Sequence, residues 1–155
     1  MDREEVRAAA AGLLRDAGLT SPPIDVHAAA SHCGLQVRIV EGLSDRVSGL
    51  LYCGPISAII AVNARHAATR RRFTIAHEIW HWKSDTGATQ VHVDTEATDV
   101  SGEERAANAF AAELLMPEEL LRAEHARNPD REALCWRFGV SSAALARRLS
   151  ELGLR

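Results

Sequence analysis

Thr74-Ile75-Ala76-His77-Glu78-Ile79-Trp80-His81-Trp82 is the stretch on which the fold turns. Two histidines and a glutamate sit here inside a helical, largely apolar pattern. A separation of four residues places His77 and His81 about 40° apart around a helix axis and about 6 Å along it, so both imidazoles face the same way. Such a pair can bind one tetrahedral Zn²⁺. Glu78 adjoins the first histidine, where its carboxylate can reach a water at the metal without taking a coordination position, as a general base must. Two histidines sharing a face by chance would not need that glutamate. Ile75, Ala76, Ile79, Trp80 and Trp82 read as packing residues, and burial of this helix makes the site dry and rigid and strengthens the field of a cation held there.

The flanking sequence supplies the frame. Residues 2–17 read as a helix, Pro22-Pro23 breaks the chain, and Asp25 caps a second helix that runs to Cys33 and stops at Gly34. Leu35 to Val40 alternates and reads as a strand; Val47 to Cys53 is a second, ended by Gly54-Pro55. Ser57 to Val62 is a third, apolar enough to be central in a sheet. Asn63 is an N-cap for the histidine-bearing helix, expected over about residues 64–83. A polar loop, Ser84 to Gly102, is long enough to suggest function. Residues 103–115 form an apolar helix, Pro117 opens another, and the tail holds two short helices, about 130–138 and 141–152. This order implies an α+β fold. It is expected as a single domain over 1–155, with a small three-stranded sheet packed against helices and, from about residue 127, a helix-turn-helix-like helical tail.

Composition narrows the function classes. The 155 residues suffice for one core, and a net charge of −3 gives no general affinity for nucleic acid or membrane. The charged start, Met1-Asp2-Arg3-Glu4-Glu5, is no signal peptide, and no run is long enough to span a bilayer. Cys33, Cys53 and Cys135 are too far apart for a disulfide framework or a Cys-x-x-Cys zinc site, and read as buried thiols of a cytoplasmic protein.

A catalytic zinc keeps three protein ligands and one open position. The third ligand must come from elsewhere, and His92, Glu96, Asp99, Glu103, Glu104 and Glu113 all lie downstream. Glu104 is the best placed, since it begins an apolar helix and has Asn108 one turn on, whose side-chain oxygen can accept the free ring N–H of a zinc-bound histidine. Glu113 falls about 180° from Glu104 around that helix. Spacing alone equally allows that Glu103 and Glu104 merely suit the positive end of the helix.

Arg72-Phe73-Thr74-Ile75-Ala76-His77-Glu78-Ile79-Trp80-His81 resembles the signature of the ImmA/IrrE metallopeptidases. So does Glu104-Arg105-Ala106-Ala107-Asn108 with its continuation to Pro117, and Ser48-Gly49-Leu50 and Ile59 to Asn63 are similar to that family's strands. The resemblance covers roughly residues 20–150. It implies a zincin-like fold with a thermolysin-like site, holding one Zn²⁺ per chain on His77, His81 and Glu104, with Glu78 as catalytic base. It also implies a helix-turn-helix transcriptional repressor as substrate or partner, in a stress-response, mobile-element or toxin–antitoxin-like system. Trp80 departs from the family, which often has Gly there, and is expected to narrow the space beside the zinc helix. Within these 155 residues no counterpart of the large sensor domain of the longest members is expected.

For the second oxyanion donor such a hydrolase uses, Tyr52, His92 and Arg72 are the candidates. An exposed edge of Val47–Cys53 or Ser57–Val62 would hold substrate as an added strand. A competing reading is a non-catalytic zinc-containing regulator, or toxin–antitoxin component, that acts by binding a repressor; the presence of Glu78 speaks against it. Direct DNA contact by Arg147 and Arg148 in the tail is not expected, because its apolar spacing suits packing. The run Arg70-Arg71-Arg72 reads as a solvated helix face.

Overall fold

The computed structural model describes residues 2–84, 90–95 and 101–155. Among them are seven helices and a four-stranded mixed sheet, an α+β architecture. α1 (Arg3–Asp16) is capped by Asp2, and Val6, Ala10, Leu13 and Leu14 form its inward stripe. α2 (Val26–His32) is capped by the Asp25 carboxylate, which accepts from the Ala28 amide at 2.9 Å. Then come β1 (Leu35–Val40), β2 (Val47–Cys53) and β3 (Ala58–Asn63). β3 pairs with β1 in parallel and with β2 antiparallel, so it is interior, and Ile60 and Val62 on it are fully buried.

The sheet has one strand more than the sequence suggests. β4 (Gln90–Thr95) lies within the expected loop and pairs antiparallel with β2, giving the order β1-β3-β2-β4. Both strands expected to offer an open edge are therefore interior, and among the described residues the edges belong to β1 and β4. Asn63 is not a helix cap either. Its Nδ2 donates to the carbonyls of Ser44 (3.1 Å) and Val47 (2.9 Å), and its Oδ1 accepts from the Arg65 amide at 2.9 Å. It fastens the turn after β3, and α3 begins only at Ala68.

α3 (Ala68–Ser84) is buried without a break from Thr74 to His81. One side of it meets the sheet at Gly49, where an added Cβ would lie 2.6 Å from the Ala61 carbonyl oxygen and 2.7 Å from Thr74 Cγ2. Only glycine lets the helix approach this closely. Gly49→Ala is expected to cost about 1–3 kcal/mol by overpacking, read as a lower midpoint in thermal or urea unfolding; an unchanged midpoint would show that the strand and helix can separate freely.

On its other side α3 packs against α4 (Gly102–Leu115), whose Ala107 and Ala111 are fully buried. Trp80 packs against Phe110 with ring centroids 5.3 Å apart and the rings tilted by 39°, so its bulk fills the seam between α3 and α4. α1 covers the far side of α4. α5 (Glu118–Arg127), α6 (Arg131–Phe138) and α7 (Ser142–Glu151) complete the chain, with Gly139 left-handed (φ 64°) after α6.

The arginines are more deeply engaged than their type suggests. Arg148, in the tail whose apolar spacing suits packing, is 1% exposed. It grips both oxygens of Glu113 at 2.9 and 2.7 Å, and its Nε donates to the Met116 carbonyl at 3.1 Å. Arg70, Arg71 and Arg72 are not a solvated face but half-buried: Arg70 donates to Ser48 Oγ (3.1 Å) and Arg71 to the His66 carbonyl (2.8 Å). Cys33, Cys53 and Cys135 are half-buried rather than buried, and none is in a disulfide. Among the described residues no helix is long and apolar enough to cross a membrane.

Candidate metal centre

α3 and α4 bring the motif residues together. His77 Nε2 and His81 Nε2 are 3.2 Å apart. Glu104 Oε2 lies 3.0 Å from His77 Nε2, and Glu104 Oε1 lies 2.8 Å from His81 Nε2. Glu104 reaches this point because Ser101 caps α4, its Oγ accepting from the Glu104 amide at 3.2 Å and fixing the first turn. His77 Nδ1 donates to Asn108 Oδ1 at 2.9 Å, which leaves the Nε2 lone pair facing the other two groups.

A tetrahedral zinc with bonds of about 2.0–2.2 Å has ligand atoms about 3.3 Å apart, close to the separations among these three groups. Two imidazoles and a carboxylate are a donor set zinc accepts, with a fourth position left open. Burial, then the neighbouring His92 and His77, push His81 down to about 4, so at neutral pH its ring is uncharged and able to ligate. Burial opposes charge on Glu104, yet His77, His81 and His92 outweigh it and hold the carboxyl below its ordinary range. Glu103 sits near the edge of the cluster, 61% exposed and 4.0 Å from His81 Nδ1.

Glu78 is fully buried beside the ligand face. Its Oε2 accepts from His92 Nδ1 at 3.1 Å, while its Oε1 is buried without a hydrogen-bond partner among the described residues. Burial raises the Glu78 pKa, opposed by His92 and His77. His92 Nε2 donates to Glu104 Oε1 at 3.0 Å, and the ring stacks on His81 at 3.8 Å. With a carboxylate at each ring nitrogen, Glu78 foremost, His92 is pushed up to about 9 against its own desolvation.

β4 explains why His92 is here. His92 pairs with Leu51 and so shares its inward face, whereas Tyr52 pairs with exposed Val91 on the opposite face. Tyr52 is thus kept away from the cluster. Arg72 is also kept away: its Nε donates to the Gly139 carbonyl at 3.0 Å and its terminal nitrogen to that of Phe138 at 3.3 Å, closing the end of α6. Of the sequence candidates, His77, Glu78, His81, His92, Glu104 and Asn108 meet. Glu113 is engaged with Arg148, and Glu96 and Asp99 lie outside the described residues.

Asp94 is a member the sequence reading missed. It lies two residues from His92 on the same strand face, its Oδ1 3.9 Å from His77 Nε2, and with His77 and Glu78 it forms a second close group of potential ligands. Burial raises its pKa. The alternation of His92 and Asp94 with Val91 and Val93 was the available signal.

The Peptidase_M78 family model, described as the IrrE N-terminal-like domain, matches residues 30–150. No curated protein matches the chain. Among solved structures, a Mycobacterium tuberculosis transcriptional regulator is similar, with a TM-score of 0.68 and 23% identity over 95% of this chain and 46% of that one. At that identity the likeness is one of fold, and this chain spans about half the length of the regulator.

Proposed function

Because the chain belongs to the Peptidase_M78 family of IrrE N-terminal-like domains, we propose that it is a zinc-dependent endopeptidase with a zincin-like site. His77, His81 and Glu104 hold the metal, Asn108 orients His77, and Glu78 is the base. The observation that carries this reading is the convergence of His77 Nε2, His81 Nε2 and the Glu104 carboxylate within 2.8–3.2 Å of one another beside a fully buried Glu78.

Zinc in that site supplies Lewis-acid polarisation of a peptide carbonyl and of the attacking water. The chain's residues supply the rest. Glu78 Oε1 takes a proton from the water as its oxygen bonds to the carbonyl carbon. It returns that proton to the amine nitrogen as the C–N bond breaks, so one water is consumed and no proton is left over. His92 Nδ1 holds Glu78 Oε2 throughout and so orients the base, and of the three candidate oxyanion donors it is His92 that lies at the cluster.

The substrate we infer is a helix-turn-helix transcriptional repressor, in the kind of stress-response, mobile-element or toxin–antitoxin-like setting that the family resemblance implies. The relatedness of the fold to a transcriptional regulator accords with work beside gene control. The test pairs metal analysis with cleavage. Chain purified without added metal is expected to carry one zinc, and to cut a repressor encoded beside it. A chelator should stop the cut and added zinc should restore it. Metal-free protein with undiminished function would refute the proposal.

A further inference from the structure

The seam between α3 and α4 continues past the histidines. The two helices run antiparallel there, His81 opposite Glu104 and His77 opposite Asn108. One turn further, Phe73 and Arg70 enter a cleft of about 980 Å³ that α7 walls from the far side. Its floor is apolar, formed by Phe73, Ala109, Ala112, Val140 and Ala144. Its rim is cationic. Arg105 and Arg147 are exposed there and form no ion pair with the described residues, whereas Arg70 is half-buried and donates to Ser48 Oγ. Arg148 also borders the cleft, but its charge is taken up by Glu113. Glu151, the acid in this lining, faces Arg148 at 3.7 Å and Arg3 at 4.0 Å.

Asn108 lines this cleft and accepts from His77 Nδ1, so the cleft begins one hydrogen bond away from the metal centre. The volume exceeds that of any one side chain and reaches the upper end of the about 300–1,000 Å³ typical of binding pockets. A broad apolar floor has no use for a phosphate backbone, which is held by charge. Small alanine side chains leave depth for an aliphatic group, and cations above them suit carboxylates beside that group.

We propose that this cleft is the specificity subsite for the polypeptide substrate. It seats an aliphatic side chain on Phe73 and the alanines, and pairs a neighbouring Asp or Glu with Arg105 and Arg147, to one side of the scissile bond. The proposal rests on the peptidase reading for what is cut, but its test does not require cutting.

The full zinc-loaded chain is titrated, by fluorescence anisotropy, against short labelled peptides that alternate Glu with Leu, Gln with Leu, Lys with Leu or Glu with Gly. The Glu–Leu peptide is expected to bind about tenfold tighter than the Gln–Leu or Glu–Gly peptide, and to weaken with salt. The double variant Arg105→Glu/Arg147→Glu, both positions being exposed, should fold normally by thermal melt and should transfer the preference to the Lys–Leu peptide. Equal affinity for all the peptides, or a preference that charge reversal leaves unchanged, overturns the proposal. So does tight binding of duplex DNA or of phosphatidylserine vesicles in place of the peptides, lost on the same reversal. The expected pattern in a chain that cleaves nothing would uphold the cleft and refute the peptidase reading instead.

Discussion

Glu104→Ala is expected to lose zinc. Its carboxylate spans the two histidines, one oxygen 3.0 Å from His77 Nε2 and the other 2.8 Å from His81 Nε2, and no other glutamate of α4 does so. Removing one of three ligands should exceed the about 10–100-fold loss typical when only an outer partner is removed. Asn108→Ala is that smaller case, since it frees the His77 ring to turn. Glu103→Ala should bind nearly as tightly as the unaltered chain, because that side chain is exposed at the edge of the cluster. Glu113→Ala should also bind zinc, but melt earlier, for it leaves Arg148 buried without its carboxylate at a cost of about 3–5 kcal/mol. Competition with a metal-binding dye, run beside thermal unfolding, separates these outcomes. Tight binding by Glu104→Ala, or loss of zinc from folded Glu103→Ala or Glu113→Ala, would place the third ligand elsewhere.

Glu78→Gln is expected to retain zinc and fold while cleavage falls on the order of 100-fold or more. The amide keeps the shape of the side chain, and its oxygen can still accept from His92 Nδ1, which lies 3.1 Å from Glu78 Oε2 in the native chain. What disappears is basicity at an oxygen that is buried and without a partner among the described residues. Zinc content, melting temperature and cleavage of a repressor are measured on one preparation. Cleavage at the native rate would refute the role of Glu78. Full biological function without cleavage would favour the competing reading, a regulator that acts by binding.

Where side chains do what their type suggests, the sequence was legible. β1 falls at 35–40 as its alternation predicts, and β2 at 47–53, ended by Gly54-Pro55 as expected, with Leu35 and Leu51 turned inward. The histidine pair and Glu78 were readable from spacing within one helix. β4 was not, because its pattern is inverted: His92 and Asp94 face the cluster while Val91 and Val93 are 62% and 49% exposed. A strand that turns polar groups inward looks like a loop, so the fourth strand and Asp94 were missed together. The place of Arg72 and the partner of Arg148 were hidden for a related reason. Arginine is mostly exposed, and the partners that draw these two inward lie far along the chain, Gly139 67 residues from Arg72 and Glu113 35 residues from Arg148. No local pattern announces such a pair.

Those two inward guanidinium groups tie the last helices to the pair that carries the histidines and Glu104: Arg72 fastens α6 to α3, and Arg148 fastens α7 to α4. Lifting α7 away would strand a carboxylate inside α4 and an uncompensated cation on α7, and lifting α6 would bare a guanidinium and two carbonyls at once. The helices from Arg131 onward are therefore not a cassette that can be exchanged or trimmed while leaving the rest intact. They are expected to unfold together with α3 and α4, and a change at Arg148 calls for a matching change at Glu113.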